Sequence, residues 1–210
     1  MIHFAIFASG NGTNAEAIIN YFKDSNLAKP VLVISNRAGA NVLNRAQQYK
    51  VMAKHIPSDD FRHHPEKILE ILKQHQVAFI VLAGFMMLVP DLLTREFKYR
   101  IINIHPALLP KYGGKGMYGR NVHNAVIENK EQESGITIHY VNEYYDQGQI
   151  IFQAKCPVED TDSPQSLEKK IQQLEHTYYP KIIEQTIKEK HIPGEPGTKQ
   201  DKNPNTNTIG

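Results

Sequence analysis

Asn103 and His105 carry the strongest chemical signal in this sequence, because they stand two residues apart at the end of an apolar run and just before Pro106. In a β-strand, residues i and i+2 project to the same side, so the amide and the imidazole face one way. Pro106 favours an extended conformation for His105 and marks the end of the strand. The pair combines a neutral hydrogen-bond donor with a group that can gain or lose a proton. A structural polar pair at a strand end is the alternative interpretation of these residues alone.

A glycine-rich turn near the amino terminus is a second candidate site. It runs from Ser9 to Asn14 with the sequence Ser-Gly-Asn-Gly-Thr-Asn. Two glycines between a strand and a helix allow backbone amides to point at an anion, and the helix dipole favours negative charge there. The turn therefore predicts a phosphate site, although a tight connection without a ligand is an alternative. No Gly-Lys-Ser/Thr follows, and Ser35-Asn36-Arg37 lacks the acidic residue of dinucleotide-binding folds.

Asp146 is the third candidate. It lies in the acidic and glycine-containing segment between the last two apolar runs, two residues before Gly148. Such a composition between two strands usually forms a turn. A turn residue is therefore the favoured interpretation of Asp146 by itself.

The candidate residues must be positioned by strands and helices. Along the chain, short apolar runs alternate with segments whose apolar residues recur at helical spacing. This rhythm predicts an α/β fold: a Rossmann-like, doubly wound, mostly parallel sheet with an antiparallel C-terminal strand pair. Asn103 and His105 then lie at the carboxyl end of a strand, where open α/β sheets place their sites. The first strand is predicted to end at Phe7, and the others to cover residues 30–35, 53–56, 78–83, 100–105, 136–142 and 149–158.

A long C-terminal helix is predicted to begin at Ser163, which can act as its N-cap before Pro164. Pro180 is expected to kink or interrupt this helix. Residues 110–119 are predicted to form a loop. We expect one domain over residues 1–192 and a flexible tail over residues 193–210, because the tail has almost nothing to bury. Further helices are predicted around residues 15–22, 42–49, 68–72 and 91–97.

Composition excludes several classes of protein. The 210 residues are 40% hydrophobic and 22% charged with a formal net charge of +2, and no basic stripe suggests nucleic-acid binding. No apolar run approaches the roughly 20 residues of a membrane span, and no signal peptide is expected. The single cysteine, Cys156, fits a reducing compartment, which favours a cytoplasmic protein. His63, His64 and His75 are interpreted as a solvated helix region rather than a metal site.

Taken together, these motifs resemble those of glycinamide ribonucleotide formyltransferases, a folate-dependent family. The resemblance covers the chain to about residue 190, and its most specific element is Asn-x-His-x-x-x-Leu-Pro, which begins at Asn103 and is similar to that of other formyltetrahydrofolate-using enzymes. The matching segments are residues 9–14, 81–86, 103–110 and 135–139, then Asp146 with Gly148, and residues 172–176 followed by Tyr179-Pro180.

The resemblance implies transfer of a formyl group from 10-formyltetrahydrofolate to the amine of glycinamide ribonucleotide, in purine biosynthesis and without a metal. Attack of the amine builds negative charge on the formyl oxygen, which an amide N–H and an imidazolium can stabilise. By resemblance, Asn103 and His105 are these donors, and His105 also moves a proton from the amine toward the folate nitrogen. Asp146 is expected to favour the charged form of His105 and to orient its ring or a bridging water.

The resemblance also assigns the binding residues. The amides of Gly12, Thr13 and Asn14 are expected to hold the ribose phosphate. Gln172 and Glu175 are expected to meet the ribose or the glycinamide amine, and Thr137 and His139 to support the site. The expected partners are small molecules, with neither nucleic acid nor membrane, in a monomer or homodimer. The folate contacts implied are Arg62, Met86, Met87, Leu88, Val89, Asn142, Glu143, Tyr144 and Tyr145.

The chain departs from the common family pattern at two places. The segment from Phe85 to Pro90 is one residue short and has Met87 where a basic residue is usual. The loop over residues 111–119 is longer and richer in glycine than the common form, and we expect it to be a mobile flap over the substrate.

Three other functions compete with this one. A methionyl-tRNA formyltransferase should carry a further basic domain, which 210 residues cannot hold. A formyltetrahydrofolate hydrolase should carry an N-terminal regulatory domain, whereas here the first strand begins at Ile2. A non-catalytic phosphate- or nucleotide-binding module would explain the glycine turn but not the grouping of Asn103, His105 and Asp146.

Overall fold

A seven-stranded mixed sheet organises the chain. The computed structural model describes residues 1–190, and its strand order is β3-β2-β1-β4-β5-β6-β7. The strands are β1 (Ile2–Phe7), β2 (Ala28–Ser35), β3 (Met52–His55), β4 (Val77–Leu82), β5 (Ile101–His105), β6 (Glu133–Tyr140) and β7 (Ile150–Pro157). The helices are α1 (Thr13–Tyr21), α2 (Asn41–Gln48), α3 (Ser58–His63), α4 (Pro65–Gln74), α5 (Asp91–Glu96), α6 (Arg120–Glu128) and α7 (Pro164–Lys190).

The first five strands pair in parallel, and β6 and β7 continue the sheet in antiparallel pairings. The interior strand β1 is apolar on both faces because helices cover both. Phe4 and Ile6 pack on the side of α1, α2, α6 and α7, whereas Ala5 and Phe7 pack on the side of α3, α4 and α5. The predicted fold class is confirmed.

The long helix α7 packs along this sheet and is tied to it. Its N-terminus is capped as expected: the Ser166 N–H donates to Ser163 Oγ at 3.2 Å, and the Ser163 N–H donates to Ser166 Oγ at 2.9 Å. The hydroxyl of the fully buried Tyr179 lies 2.8 Å from the Leu82 carbonyl oxygen and 3.2 Å from that of Ile102. Tyr179 therefore holds α7 against the last residue of β4 and the beginning of β5.

Several boundaries differ from those predicted. The helix α7 runs through Pro180 without interruption, because the packing of Tyr179, Ile183 and Ile187 on the sheet stabilises both sides of the proline. Strand β6 begins at Glu133 and ends before residues 141 and 142. Helix α6 was not predicted, and α3 was anticipated only in the expectation of a solvated helix region around His63 and His64. The predicted tail, residues 193–210, lies outside the described residues.

Candidate active site

The strand β5 carries Asn103 and His105 on one face, at the point where the sheet changes from parallel to antiparallel pairing. Asn103 lies opposite His139 on β6, and His105 lies opposite Thr137. Side chains directly opposite each other on antiparallel strands are close neighbours. The register therefore brings four polar side chains of this face together.

Asp146 joins this group from the loop between β6 and β7. Its backbone has a φ of 55°, an uncommon value for a residue other than glycine, which turns the chain sharply. One carboxylate oxygen lies 3.5 Å from His105 Nδ1 and accepts the Gly114 N–H at 2.9 Å. The other accepts from Asn103 Nδ2 at 3.5 Å and lies 3.6 Å from His139 Nε2. The structure thus brings Asn103, His105 and Asp146 together.

His105 is almost fully buried, and contacts at both ring nitrogens orient its imidazole. Nε2 donates to the Tyr112 carbonyl oxygen at 2.7 Å, while Nδ1 faces Asp146. Burial lowers the pKa of His105, and it outweighs the opposite effects of Asp146 and the Tyr112 carbonyl. The ring is therefore a neutral imidazole at neutral pH. The imidazolium that the resemblance implies therefore forms only when this ring gains a proton.

The carboxylate of Asp146 stays ionised beside this neutral ring. Burial raises its pKa, but His139, His105 and the Gly114 N–H together outweigh burial and bring the pKa below its ordinary value. His139 Nδ1 lies 2.8 Å from the Tyr140 carbonyl oxygen, which places a proton on Nδ1. Its Nε2 then accepts from Asn103 Nδ2 at 3.1 Å. His139 therefore orients the amide of Asn103.

Thr137 fixes the segment that follows β5. Its fully buried hydroxyl donates to the Ala107 carbonyl at 2.6 Å and accepts the Leu109 N–H at 2.9 Å. The Gln153 side chain also donates to this hydroxyl, at 2.8 Å. Because the backbone after His105 is held in this way, the imidazole has a defined direction.

A cleft of about 470 Å³ connects this group with the glycine turn. Asn103, His105 and Asp146 line its centre, and Asn14 and Glu175 also line it. Its walls include Gly84 to Met86 and the loop from Gly114 to Gly119. A molecule in this cleft can therefore contact the β5 residues and the start of α1 at the same time.

The glycine turn meets this cleft at Asn14, in the first turn of α1, whereas Gly12 and Thr13 lie just outside its lining. Gly12 has a φ of 82°, and no side chain caps the first helical turn. A Cβ atom on Gly12 would lie 2.5 Å from the Val42 side chain and 2.8 Å from the Val42 Cα. Only glycine satisfies both the conformation and this close approach. The free amides of the first turn thus form an anion-binding arrangement.

Helix α7 contributes Glu175 to the lining of this end of the cleft, and Gln172 bonds to the glycine turn without lining the cleft. Gln172 Nε2 donates to Thr13 Oγ1 at 3.0 Å, and Asn14 Nδ2 donates to Glu175 Oε2 at 2.9 Å. Burial raises the pKa of Glu175 to about 7, against the opposing effect of the hydrogen bond from Asn14. The carboxyl group is therefore poised between its two protonation states at neutral pH.

The residues predicted to contact folate are divided among several places. Met86 lines the cleft, and its N–H donates to the buried Ser9 Oγ at 2.9 Å. A narrow slot of about 50 Å³ adjoins Asn103 and Asp146, and its walls include Met87, Leu88, Val89, Tyr144 and Tyr145. The Tyr145 hydroxyl accepts the Leu88 N–H at 3.1 Å, so the side chain of Tyr145 lies across the slot.

Three of the predicted folate residues lie elsewhere. Asn142 and Glu143 line a separate depression beside Arg95 and Lys98, because β6 ends before them and the chain turns away. Arg62 is exposed on α3 and lines neither the cleft nor the slot. Its predicted contact with folate stays a prediction.

Sequence patterns missed several contributors to the site. Tyr112 and Gly114 contact His105 and Asp146 through the backbone, and a backbone contact from a loop has no side-chain signature. Lys115 lines the cleft next to them. The high glycine content of residues 110–119 was the only feature of the sequence that marked this loop.

Residues 1–190 contain no group of three or more His, Cys, Asp or Glu side chains that could hold a metal ion. Among the helices that the structure describes, none is both long and apolar enough to cross a bilayer.

Comparison with known proteins decides the family. A family model described as formyl transferase matches residues 2–183. This chain belongs to the formyl transferase family. Within that family, it is 37% identical over 196 residues to phosphoribosylglycinamide formyltransferase of Bacillus subtilis, covering 89% of this chain and 95% of that protein. It is 39% identical over 186 residues to the chloroplastic phosphoribosylglycinamide formyltransferase of Arabidopsis thaliana, covering 85% of this chain and 63% of the longer plant protein.

Formyl transferases of known structure share the fold. The crystal structure of glycinamide ribonucleotide transformylase 1 from Symbiobacterium toebii superposes with a TM-score of 0.82 at 32% identity, over 90% of this chain and 89% of that chain. The phosphoribosylglycinamide formyltransferase from Bacillus halodurans gives 0.82 at 35% identity, over 90% of this chain and 97% of that chain. The family and the fold therefore agree.

Proposed function

We propose that this chain transfers the formyl group of 10-formyltetrahydrofolate to the amine of glycinamide ribonucleotide, giving formylglycinamide ribonucleotide and tetrahydrofolate, in purine biosynthesis. One observation carries the proposal: a single cleft joins Asn103, His105 and Asp146 to the open N-terminus of α1 and to Glu175. An acyl-transfer group beside a phosphate-binding turn suits a phosphorylated amine as acceptor. The relatives named for this reaction support the same assignment.

The first step is attack of the acceptor amine on the formyl carbon, which moves negative charge onto the formyl oxygen. Asn103 Nδ2 donates this oxygen a hydrogen bond in place of its long, 3.5 Å contact with Asp146. The 3.1 Å bond to His139 keeps the amide oriented during the exchange. Losing one such donor typically costs about 10²–10³ in rate.

The second requirement is a proton acceptor for the amine. His105 is neutral at neutral pH because burial lowers its pKa, so it can take the proton. The charge that forms on the ring is stabilised by the Asp146 carboxylate 3.5 Å from Nδ1. The bond from carbon to the folate nitrogen then breaks, and His105 returns the proton to that nitrogen. To accept the amine proton, Nε2 has to leave the Tyr112 carbonyl and give up the hydrogen that it donates there, so that the ring proton stands on Nδ1 beside Asp146.

The acceptor is held at the α1 end of the cleft. The amides of Gly12, Thr13 and Asn14 bind the ribose phosphate, and Gln172 and Glu175 contact the ribose or the glycinamide amine. The bonds of Thr13 and Asn14 to α7 support this arrangement because they join the two elements that meet the ligand.

The donor occupies the other end. Its bicyclic ring enters the slot between Leu88 and Tyr145, where backbone groups can read its edge. At about 50 Å³ the slot is too small for this ring, so Tyr145 has to move when the donor binds. The predicted cytoplasmic location and monomeric or homodimeric state remain part of this proposal.

A spectrophotometric assay tests the proposal. Absorbance-monitored conversion of 10-formyltetrahydrofolate is expected only when glycinamide ribonucleotide is present, with formylglycinamide ribonucleotide as product. Release of formate without the acceptor would identify a formyltetrahydrofolate hydrolase instead. Binding of both ligands without turnover would indicate a non-catalytic module.

His105→Ala is expected to lower kcat by about 10²–10⁴, because the variant loses the proton acceptor. The fold and the KM values of both substrates should change little. His63→Ala is a matched control, since His63 is exposed on α3 outside the cleft. Turnover by His105→Ala at the wild-type rate would remove His105 from the mechanism.

A further inference from the structure

Lys115 is the only cationic side chain among the residues that line the cleft, where Asp146 and Glu175 are the acidic ones. It is exposed, and within residues 1–190 it makes neither an ion pair nor a side-chain hydrogen bond. Other lysines near this loop are paired: Lys111 with Glu131, for example, at 2.9 Å. An unpaired positive charge on the wall of a cleft is available to a ligand.

The loop holds Lys115 near the catalytic group. Gly114 and Gly116 on either side of it have φ values of 95° and 90°. The N–H of Gly114 is bonded to Asp146, and the next Cα lies only about 3.8 Å further along the chain. The other end of the loop approaches α7, where Arg120 Nε lies 3.7 Å from Glu168. Lys115 therefore belongs to the Asp146 end of the loop rather than the α7 end.

The geometry of the donor directs its tail along this part of the cleft. In 10-formyltetrahydrofolate the formyl nitrogen lies between the bicyclic ring and the benzoylglutamyl group. With the ring in the slot and the formyl group at Asn103 and His105, the benzoylglutamyl group has to leave through the cleft, past Met86 and the loop. The tail carries carboxylates, and neither Met86 nor Met87 offers them a charge.

We propose that Lys115 binds the carboxylates of the donor's glutamyl tail and makes the enzyme prefer donors with longer tails. This inference rests on the proposed function. The acceptor phosphate is assigned to the backbone amides at the α1 end, whereas Lys115 follows Gly114, whose N–H is bonded to Asp146. A flexible lysine between two glycines can follow a tail whose length varies.

The test compares 10-formyltetrahydrofolate carrying one glutamate with the same donor carrying three. For the wild type, the KM of the longer donor should be about two- to fivefold lower, the range of an exposed ion pair, and the difference should shrink at high salt. Lys115→Met should abolish the difference with kcat retained, and Lys115→Arg should restore it. Lys29→Met, at the amino end of β2, controls for the loss of one positive charge. Calorimetric titration with the unformylated tetrahydrofolates of both tail lengths measures the same contact without turnover.

The outcomes separate the two proposals. Loss of the tail-length effect in Lys115→Met, with the KM of glycinamide ribonucleotide unchanged, supports the role of Lys115. Equal KM values for the two donors in the wild type overturn it, as does a Lys115→Met effect confined to the acceptor KM. If the wild type binds the longer folate more tightly in a Lys115-dependent manner but transfers no formyl group, the proposed reaction fails while the contact is supported.

Discussion

The two ends of the cleft are built in different ways. At the α1 end, elements of regular secondary structure supply the groups: Gly12 is packed against Val42, and hydrogen bonds join Thr13 and Asn14 to α7. At the slot end, the groups come from loops, and Tyr144 is 59% exposed while the slot itself encloses only about 50 Å³. The acceptor end is therefore preformed, whereas the donor end has to open.

The two ends of the cleft also differ in how they affect the stability of the folded protein. The acceptor end keeps a buried carboxyl group in place before any ligand arrives, which reduces stability, and it uses a left-handed glycine where any other residue would be strained. The donor end keeps its backbone donors paired within the protein, as when Tyr145 accepts the Leu88 N–H. Substitutions at the two ends should therefore have opposite consequences.

Gly12→Ala should have the largest effect on stability. Its Cβ would meet Val42, and its φ would be strained, so the free energy of unfolding should fall by about 2–5 kcal/mol. The KM of glycinamide ribonucleotide should rise at the same time. Gly10→Ala is the matched control, because nothing lies within 4 Å of the added atom. Chemical denaturation measures both, and equal stability of the two variants would contradict a preformed acceptor end.

Glu175→Gln should stabilise the protein at high pH and weaken acceptor binding. The pKa of about 7 in the folded state exceeds the ordinary 4.5, so the folded protein binds more protons between these values and loses stability as pH rises through this window. The shift corresponds to at most about 3 kcal/mol at pH 8. Glutamine removes this penalty and still accepts the bond from Asn14.

Denaturation of wild type and Glu175→Gln at pH 5 and pH 8 tests this pH dependence. The stability gain of the variant should be large at pH 8 and small at pH 5. Glu168→Gln, with a side chain that is 47% exposed on the same helix, should show no comparable gain. A gain independent of pH would show that charge burial is not the cause.

Tyr145→Phe should have the smallest effect of these substitutions, and it should strengthen ligand binding rather than weaken it. The variant keeps the ring and loses the bond to the Leu88 N–H, which is worth about 0.5–1.5 kcal/mol. Opening of the slot then becomes easier, so the KM of the donor should fall about two- to fivefold with the acceptor KM unchanged. A higher donor KM would mean that the hydroxyl contacts the donor directly.

The fold was predictable because hydrophobic period and composition specify it locally. Strand β4 is a continuous apolar run, and so is β1 from Phe4 to Phe7, because both are buried on both faces of the sheet. Helix α6 was missed because its apolar residues, among them Val122 and Val126, follow a glycine-rich loop that obscures where it begins. The outcome at Pro180 was missed because tertiary packing, which sequence period does not report, stabilises α7 on both sides.

The site was predictable in part, for a related reason. The i, i+2 spacing of Asn103 and His105 gives their common direction from sequence alone. The approach of Asp146 depends on a loop conformation with positive φ, and only the resemblance to a family pointed to it. The neutral state of His105 and the near-neutral pKa of Glu175 come from burial, which is a property of the folded chain.

Tyr179 has a consequence for how such an enzyme can diversify. Because its hydroxyl fastens α7 to the last residue of β4 and to Ile102 near the start of β5, the spacing between Glu175 and Asn103 depends on one buried side chain. Replacements along the exposed edge of α7 can therefore alter which amine is accepted while the machinery on β5 keeps its alignment. The residues on α7 that contact the acceptor can therefore change in evolution independently of the residues on β5 that carry out the reaction.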